Sequence, residues 1–279
     1  NKQKEAGVLM QKMAVMADAM KQYQVNRWHA GTAAVSEDWV AEEVPVALVY
    51  NGLSHVVMMC SPQHLEDFAR GFTLTECIVE HPHEIYDIEV TELDEGIQVE
   101  LEIAQSRFWA LKQQRRALAG RTGCGICGKE SLAQMACSLD PLQNGQQISS
   151  AALLLALDHI NSQQHLFNKT GSVHAAAWCD PQGNIIALRE DVGRHNALDK
   201  LVGHSLESGH VLHHGMLIMT SRASYEIVQK AAASGISVVA AVSGPTGMAI
   251  RLAQEQGITL IGFARNASLC VYSHPERII

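Results

Sequence analysis

The rhythm of apolar and polar positions changes part-way along the chain, and the change divides it in two. Between residues 44 and 103 the apolar residues come in strand-length runs. Val44-Pro45-Val46-Ala47-Leu48-Val49-Tyr50 and His55-Val56-Val57-Met58-Met59-Cys60 flank Asn51-Gly52, a strong hairpin signal because the turn needs positive φ. Ser61-Pro62 then predicts a helix N-cap with proline at the first helical position, and Leu65, Phe68, Ala69 and Phe72 share a helical face suited to covering the hairpin. Ile97, Val99, Leu101 and Ile103 alternate strictly, which predicts a second strand pair, 85–90 and 97–103, around Asp94-Glu95-Gly96. A helix over 107–119, stopped by Gly120, leads out of this unit.

From residue 150 the pattern is helix and buried strand in alternation. The spacing predicts helices over 150–161, 194–202, 223–234 and 246–256, and strands over 172–179, 184–189, 215–220, 236–242 and 258–263. Met216-Leu217-Ile218-Met219 and Val238-Val239-Ala240-Ala241-Val242 are continuous apolar runs, as expected of strands covered on both faces. The fold class expected is therefore α/β, a small N-terminal α/β domain plus a larger, mostly parallel one. The division expected is a partly helical or frayed leader over 1–40, a small domain over 41–106, a helix and mobile loop over 107–135, and a larger domain over 136–279.

Composition narrows the classes. The 279 residues are 47% hydrophobic, enough for a real core, and 29 acidic against 21 basic residues argue against nucleic-acid binding through bulk charge. Seven cysteines, an odd number in a chain this long, do not form a small secreted disulfide framework. No secretory signal or membrane-spanning apolar stretch is found, so a reducing cytoplasm is expected. The 14 histidines are mostly scattered and read as surface and loop residues.

Candidate chemistry concentrates in Arg121-Thr122-Gly123-Cys124-Gly125-Ile126-Cys127-Gly128. Cations at Lys112, Arg115, Arg116 and Arg121 favour a thiolate, the nucleophilic form, and the glycines suit a loop that approaches another molecule closely. In the second half, three strands are expected to end in polar or small residues: Thr220-Ser221-Arg222, Ser243-Gly244-Pro245-Thr246, and Phe263-Ala264-Arg265-Asn266-Ala267-Ser268. Ligands of such sheets bind beyond the carboxyl ends of the strands. Helix N-termini there favour anions, and Arg222 and Arg265 suit bidentate phosphate contact, so the pocket expected is one for a phosphorylated, nucleotide-like ligand. The stretch from Glu190 to Lys200 packs acid, glycine, arginine and histidine before a helix. It reads either as a helix capped by Asp191 or as a place where Arg194 and His195 line the same cleft.

With these motifs together, the chain resembles the formate dehydrogenase accessory sulfurtransferase family. The resemblance rests on Glu42 to Ala47, Thr122 to Gly128, Glu190 to Lys200, Ser221 to Lys230 and the closing Tyr272-Ser273-His274-Pro275-Glu276-Arg277. It implies a cytoplasmic homodimer that accepts sulfur from a cysteine desulfurase as a persulfide. The sulfur would pass to the molybdenum or tungsten bis(molybdopterin guanine dinucleotide) cofactor of formate dehydrogenase, the enzyme being the second partner. By the family pattern Cys124 carries the sulfur and Cys127 assists. The cofactor-binding segment falls on Phe263, Ala264, Arg265, Asn266, Ala267 and Ser268, joined by Ser221 and Arg222, although Asn266-Ala267-Ser268 departs from the family's usual glycine and basic residue. The family's larger domain is similar to the cytidine deaminase fold. Two rival readings stand beside it: a non-catalytic cofactor-binding chaperone, and a zinc-binding deaminase-like protein. The second lacks a His-x-Glu upstream of a Pro-Cys-x-x-Cys, and no resident metal is expected.

Overall fold

A computed structural model describes residues 19–119, 139–143, 145–265 and 268–279, with side chains of 114–119 left aside. The chain begins with an antiparallel ribbon, β1 (Met20–His29) and β2 (Thr32–Ala41). This corrects the expected helical or frayed leader over its second half. The ribbon reverses at Ala30-Gly31, both at positive φ (50° and 84°), the left-handed pair that a two-residue hairpin turn demands. Residues 1–18 lie outside the described residues.

Next come β3 (Val44–Tyr50) and β4 (Leu53–Cys60), joined by Asn51-Gly52 at φ 46° and 78° as the dipeptide predicts. Helix α1 (Leu65–Thr75), β5 (Ile85–Leu93) and β6 (Gly96–Ile103) follow. The four strands form one sheet in the order β4-β3-β6-β5, with β3 and β6 parallel. Helix α1 starts later than expected. His64, not Ser61, precedes it, in the left-handed region and without a side-chain cap. Ser61 is drawn away: its backbone amide donates to the Asp191 carboxylate (3.0 Å) and its hydroxyl accepts from the Val192 amide (3.1 Å). Helix α2 (Gln105–Ala119) then leads toward the cysteine segment. Its first turn is tethered by Arg107, whose guanidinium donates to Glu84 at 2.7 Å and to Glu80 at 2.7 Å.

The remaining elements are α3 (Ser150–Gln163), α4 (His165–Thr170), β7 (His174–Cys179), β8 (Ile185–Asp191), α5 (Arg194–Glu207), β9 (Met216–Met219), α6 (Tyr225–Ala233), β10 (Val238–Ala241), α7 (Gly247–Gln256), β11 (Thr259–Arg265) and β12 (Ser268–Val271). The six strands form one sheet in the order β12-β11-β10-β9-β7-β8. The expectation of a mostly parallel sheet is corrected. Only β9/β10 and β10/β11 run parallel; β7/β8, β7/β9 and β11/β12 are antiparallel. The cause is connection length, since the turn at Asp180-Pro181-Gln182-Gly183 and the two residues after Arg265 are too short for the crossover a parallel neighbour needs.

Strand alternation splits the six-stranded sheet between two apolar clusters. Met216, Ile218, Val238 and Ala240 face α3, through Leu153, Ala156 and Ile160. Leu217, Met219, Val239 and Ala241 belong to a larger cluster that also holds Val46, Leu48, Phe68, Val99 and Leu101. The two sheets therefore share one core. Phe68, fully buried within it, contributes about 2–3 kcal/mol by burial. Helices α1 and α5 cross at a glycine pair: a Cβ on Gly71 would lie 1.8 Å from the Asp199 carbonyl oxygen, and one on Gly203 would lie 1.9 Å from that of Asp67. Two buried ion pairs bind the same junction. Lys200 meets Asp191 at 2.6 Å with both side chains fully buried, and Lys230 meets Asp199 at 3.0 Å. Among the described residues no helix is long and apolar enough to cross a membrane.

Candidate functional site

Because β8, β9, β10 and β11 point the same way, their carboxyl ends fall on one edge of the larger sheet. Backbone hydrogen bonds knit the loops leaving that edge: Ser243 N donates to Ser221 O (3.4 Å), Thr246 N to Ala223 O (3.1 Å) and Phe263 N to Ser243 O (3.2 Å). The three segments read from the sequence as strand ends are thus brought side by side. Thr246 also caps α7, its hydroxyl accepting from Ala249 N at 3.3 Å.

Individual residues of this edge differ in what they offer. Ser221 is buried, its hydroxyl donating to the Arg222 carbonyl at 3.1 Å, and Arg222 is exposed. Ala264 is buried, whereas Arg265 and Ser268 are exposed. Neither Arg222 nor Arg265 makes an ion pair among the described residues, while Arg27, Arg70, Arg107 and Arg189 elsewhere all do. Phe263 stands out. It holds φ 51° and remains 43% exposed, a strained backbone for an aromatic residue displayed to solvent. Its ring lies over Gly244, where a Cβ would come within 2.8 Å.

Arg265 opens into a cleft of about 390 Å³ between α3 and the ends of β10 and β11, lined also by Leu154, Leu157, Asp158, Asn161, Val242 and Ala264. Asp158 and Asn161 were not singled out in the sequence. The only signal was two polar residues three apart, one turn of helix, following the apolar Leu153 to Leu157 run. Cys124 and Cys127, together with Asn266 and Ala267, lie outside the described residues.

The 190–200 stretch resolves into partners. Glu190 accepts from the Leu166 and Phe167 amides at 2.8 Å each, serving the start of α4. Asp191 is not the N-cap residue of α5, which is Gly193. Its carboxylate instead takes the Gly193 amide (2.8 Å), the Asn196 amide group (3.0 Å), Ser61 N and Lys200. His195 reaches the beginning of α6, its Nε2 lying 2.8 Å from Glu226 and 3.5 Å from the Ser224 hydroxyl.

Against this geometry, the sequence profile of the FdhD/NarQ family matches residues 41–279. The chain belongs to the FdhD/NarQ family. A sulfur carrier protein FdhD of Cupriavidus necator is 50% identical over 256 residues, covering 92% of this chain and 89% of that one. Another, of Xanthomonas euvesicatoria, is 48% identical over 254 residues, covering 91% and 90%. A crystal structure from Desulfotalea psychrophila, described as a formate dehydrogenase accessory protein, superposes with a TM-score of 0.73 at 22% identity, over 94% of this chain and all of that one. At that identity the likeness speaks to the fold alone.

Within this FdhD/NarQ chain, burial holds His195 below the ordinary histidine range, although the Glu226 carboxylate pulls the other way and Arg194 and Lys230 add to the lowering. Buried thiols contrast with what a sulfur carrier needs. Burial pushes the Cys179 thiol up to about 12, and Cys60 higher still, so neither is a nucleophile near neutral pH. The matched region begins at Ala41, so most of the β1–β2 ribbon precedes it.

Proposed function

We propose that the protein is a sulfur carrier acting in formate dehydrogenase maturation. A cysteine desulfurase supplies the sulfur: the Cys124 thiolate attacks the terminal sulfur of the donor's persulfide, the donor's S–S bond breaks, and the donor cysteine leaves as thiolate. Cys127 assists onward transfer by relay or release. The acceptor, bound as substrate, is the molybdenum or tungsten bis(molybdopterin guanine dinucleotide) cofactor. It is held at the strand-end edge by Ser221, Arg222, Phe263, Ala264, Arg265, Asn266, Ala267 and Ser268 before it enters formate dehydrogenase. We further read the protein as a cytoplasmic homodimer whose larger domain is akin to the cytidine deaminase fold.

The observation that carries the acceptor assignment is the convergence of three strand ends bearing Arg222 and Arg265, which have no carboxylate partner among the described residues. An exposed arginine in an acidic chain, net charge −8, has many carboxylates to choose from. Two on one edge with no ion pair among the described residues suit a ligand that brings its own negative charge. The family's sulfur carriers, matched over 89% and 90% of their length, support the donor half.

The test is incubation with a cysteine desulfurase and free cysteine, followed by peptide masses with and without thiol reductant. A gain of one sulfur on the Cys124 peptide, removed by reductant and missing from Cys124→Ala, is expected. Stoichiometric zinc on the loop with no added sulfur would sink the carrier reading. Neither sulfur nor zinc would leave a cofactor-binding chaperone.

A further inference from the structure

Among the ionisable and amide side chains of the 190–200 stretch, Arg194 is the exception. Glu190, Asp191, His195, Asn196, Asp199 and Lys200 all have hydrogen-bond or ion-pair partners. Arg194, at the first position of α5, makes none among the described residues, and its Nε is shielded from solvent with no hydrogen bond. Leaving such a donor shielded and unmade is costly. A trapped water would satisfy the nitrogen and still leave the charge uncompensated.

The neighbourhood shows why no carboxylate answers it. Asp191 is neutralised by Lys200, Glu190 is spent on the α4 amides, and Glu226 faces His195. His174, the first residue of β7, lies opposite Asp191 in the β7/β8 register, and Arg194 follows Asp191 by three residues. Burial, and secondarily the Arg194 charge, keeps His174 below the ordinary histidine range. His174 lies at the end of the sheet where Ala175 N donates to the Thr220 hydroxyl at 2.8 Å. It therefore sits on the same edge as Ser221 and Arg222.

We propose that Arg194, with His174 beside it, forms an oxyanion site at the β7–β8 end of the strand-end edge, taking a phosphate-type group and separate from the Arg265 cleft. From β7 to β11 is three strand spacings, about 14 Å at roughly 4.8 Å each. The two positions therefore receive different groups of one long ligand, or different ligands. Only the identity of the larger molecule that brings the phosphate rests on the sulfur-carrier reading; the site itself rests on Arg194 and its surroundings.

Calorimetric titration of the full chain with pyrophosphate tests this, with Arg265→Gln as background. That variant is expected to retain a pyrophosphate site, and adding Arg194→Gln to weaken it roughly tenfold or more, the usual cost of losing a charge-assisted hydrogen bond. Arg194→Lys, which keeps the charge and loses the fork, should fall between. Unchanged pyrophosphate affinity on adding Arg194→Gln overturns the proposal. Without ligand, Arg194→Gln should melt no lower than its parent, because it removes a shielded Nε donor that has no partner among the described residues. A lower melting temperature with unaltered pyrophosphate binding would make Arg194 a structural residue and overturn the site. A parallel titration with GDP separates the sources: equal weakening by Arg194→Gln means that the phosphate arrives on a nucleotide, and weakening for pyrophosphate alone means a free anion. Persulfide formation is read separately on the unsubstituted protein. Its failure would remove the sulfur-carrier reading and leave the pyrophosphate result intact.

Discussion

At the scale of single residues, Phe263 and Lys200 show how far a side chain's role departs from its type. An aromatic residue held at φ 51° carries a left-handed penalty of about 1–2 kcal/mol, and Phe263, 43% exposed, has only partial burial to offset it. Phe263→Gly is expected to leave global stability within about 1 kcal/mol of the parent, since relief of strain and loss of backbone entropy oppose each other. GDP affinity should fall severalfold. Urea denaturation and nucleotide titration check the two halves, and undiminished GDP binding would remove Phe263 from the site. Lys200 is the reverse case, a surface-type residue buried completely against Asp191. Lys200→Met leaves the Asp191 charge in the core without its counter-ion and should cost about 3–5 kcal/mol, measured by the same denaturation. Sequence alone placed Arg265 and Arg222 at strand ends correctly, because strand length and turn residues are local. It read Asp191 as a helix cap, because the lysine and serine that claim its carboxylate arrive from the second turn of α5 and from 130 residues away.

At the scale of elements, the crossing of α1 and α5 and the tether of α2 are the most exposed to test. Gly203→Ala gains about 1 kcal/mol of helix propensity. It also places a Cβ 1.9 Å from the Asp67 carbonyl oxygen, and backbone cannot step aside as a side-chain tip can. Overpacking wins, and a net loss of about 2 kcal/mol or more is expected by chemical denaturation. Helix α2 depends on Arg107. Burial alone would raise the Glu84 carboxyl, but hydrogen bonds from Arg107 and from the His81 and Glu80 amides outweigh it and bring the group down to about 2. Its folded-state value is depressed, so its contribution is fully present above the unfolded value of about 4.5 and lost as pH falls through about 2. After allowance for solvent screening this is about 1 kcal/mol. The stability of Glu84→Gln should therefore vary less between pH 4.5 and 2 than that of the parent; an unchanged slope would deny the tether. Helix and strand types along this part were legible because alternation and turn dipeptides act over a few residues. The late start of α1 was not, since Ser61 has two possible employments and the distant one, at Asp191 and Val192, prevails.

At the scale of the whole molecule, the two sheets belong to one core, and this changes what the expected division into domains means. Val46, Phe68 and Val99 lie in the same apolar cluster as Leu217, Val239 and Ala241, and buried ion pairs tie α5 and α6 to the segment around α1. Unfolding should accordingly be a single cooperative transition, with calorimetric and van't Hoff enthalpies in agreement. A chain lacking residues 41–106 should not fold; two separate transitions would restore the picture of independent domains. The sequence by itself determined the types of the elements it named from residue 44 onward, the Asn51-Gly52 hairpin, the polar strand ends and the cysteine motif, because each is written in neighbouring residues whose periodicity and turn chemistry need no distant partner. Tertiary structure alone decided that the larger sheet is mixed, that Met20–Ala41 is a ribbon, that two glycines carry a helix crossing, and that Arg194 pairs with no carboxylate among the described residues. Those outcomes depend on which of several competing partners the folded chain brings within reach, and that competition is settled between residues far apart in sequence.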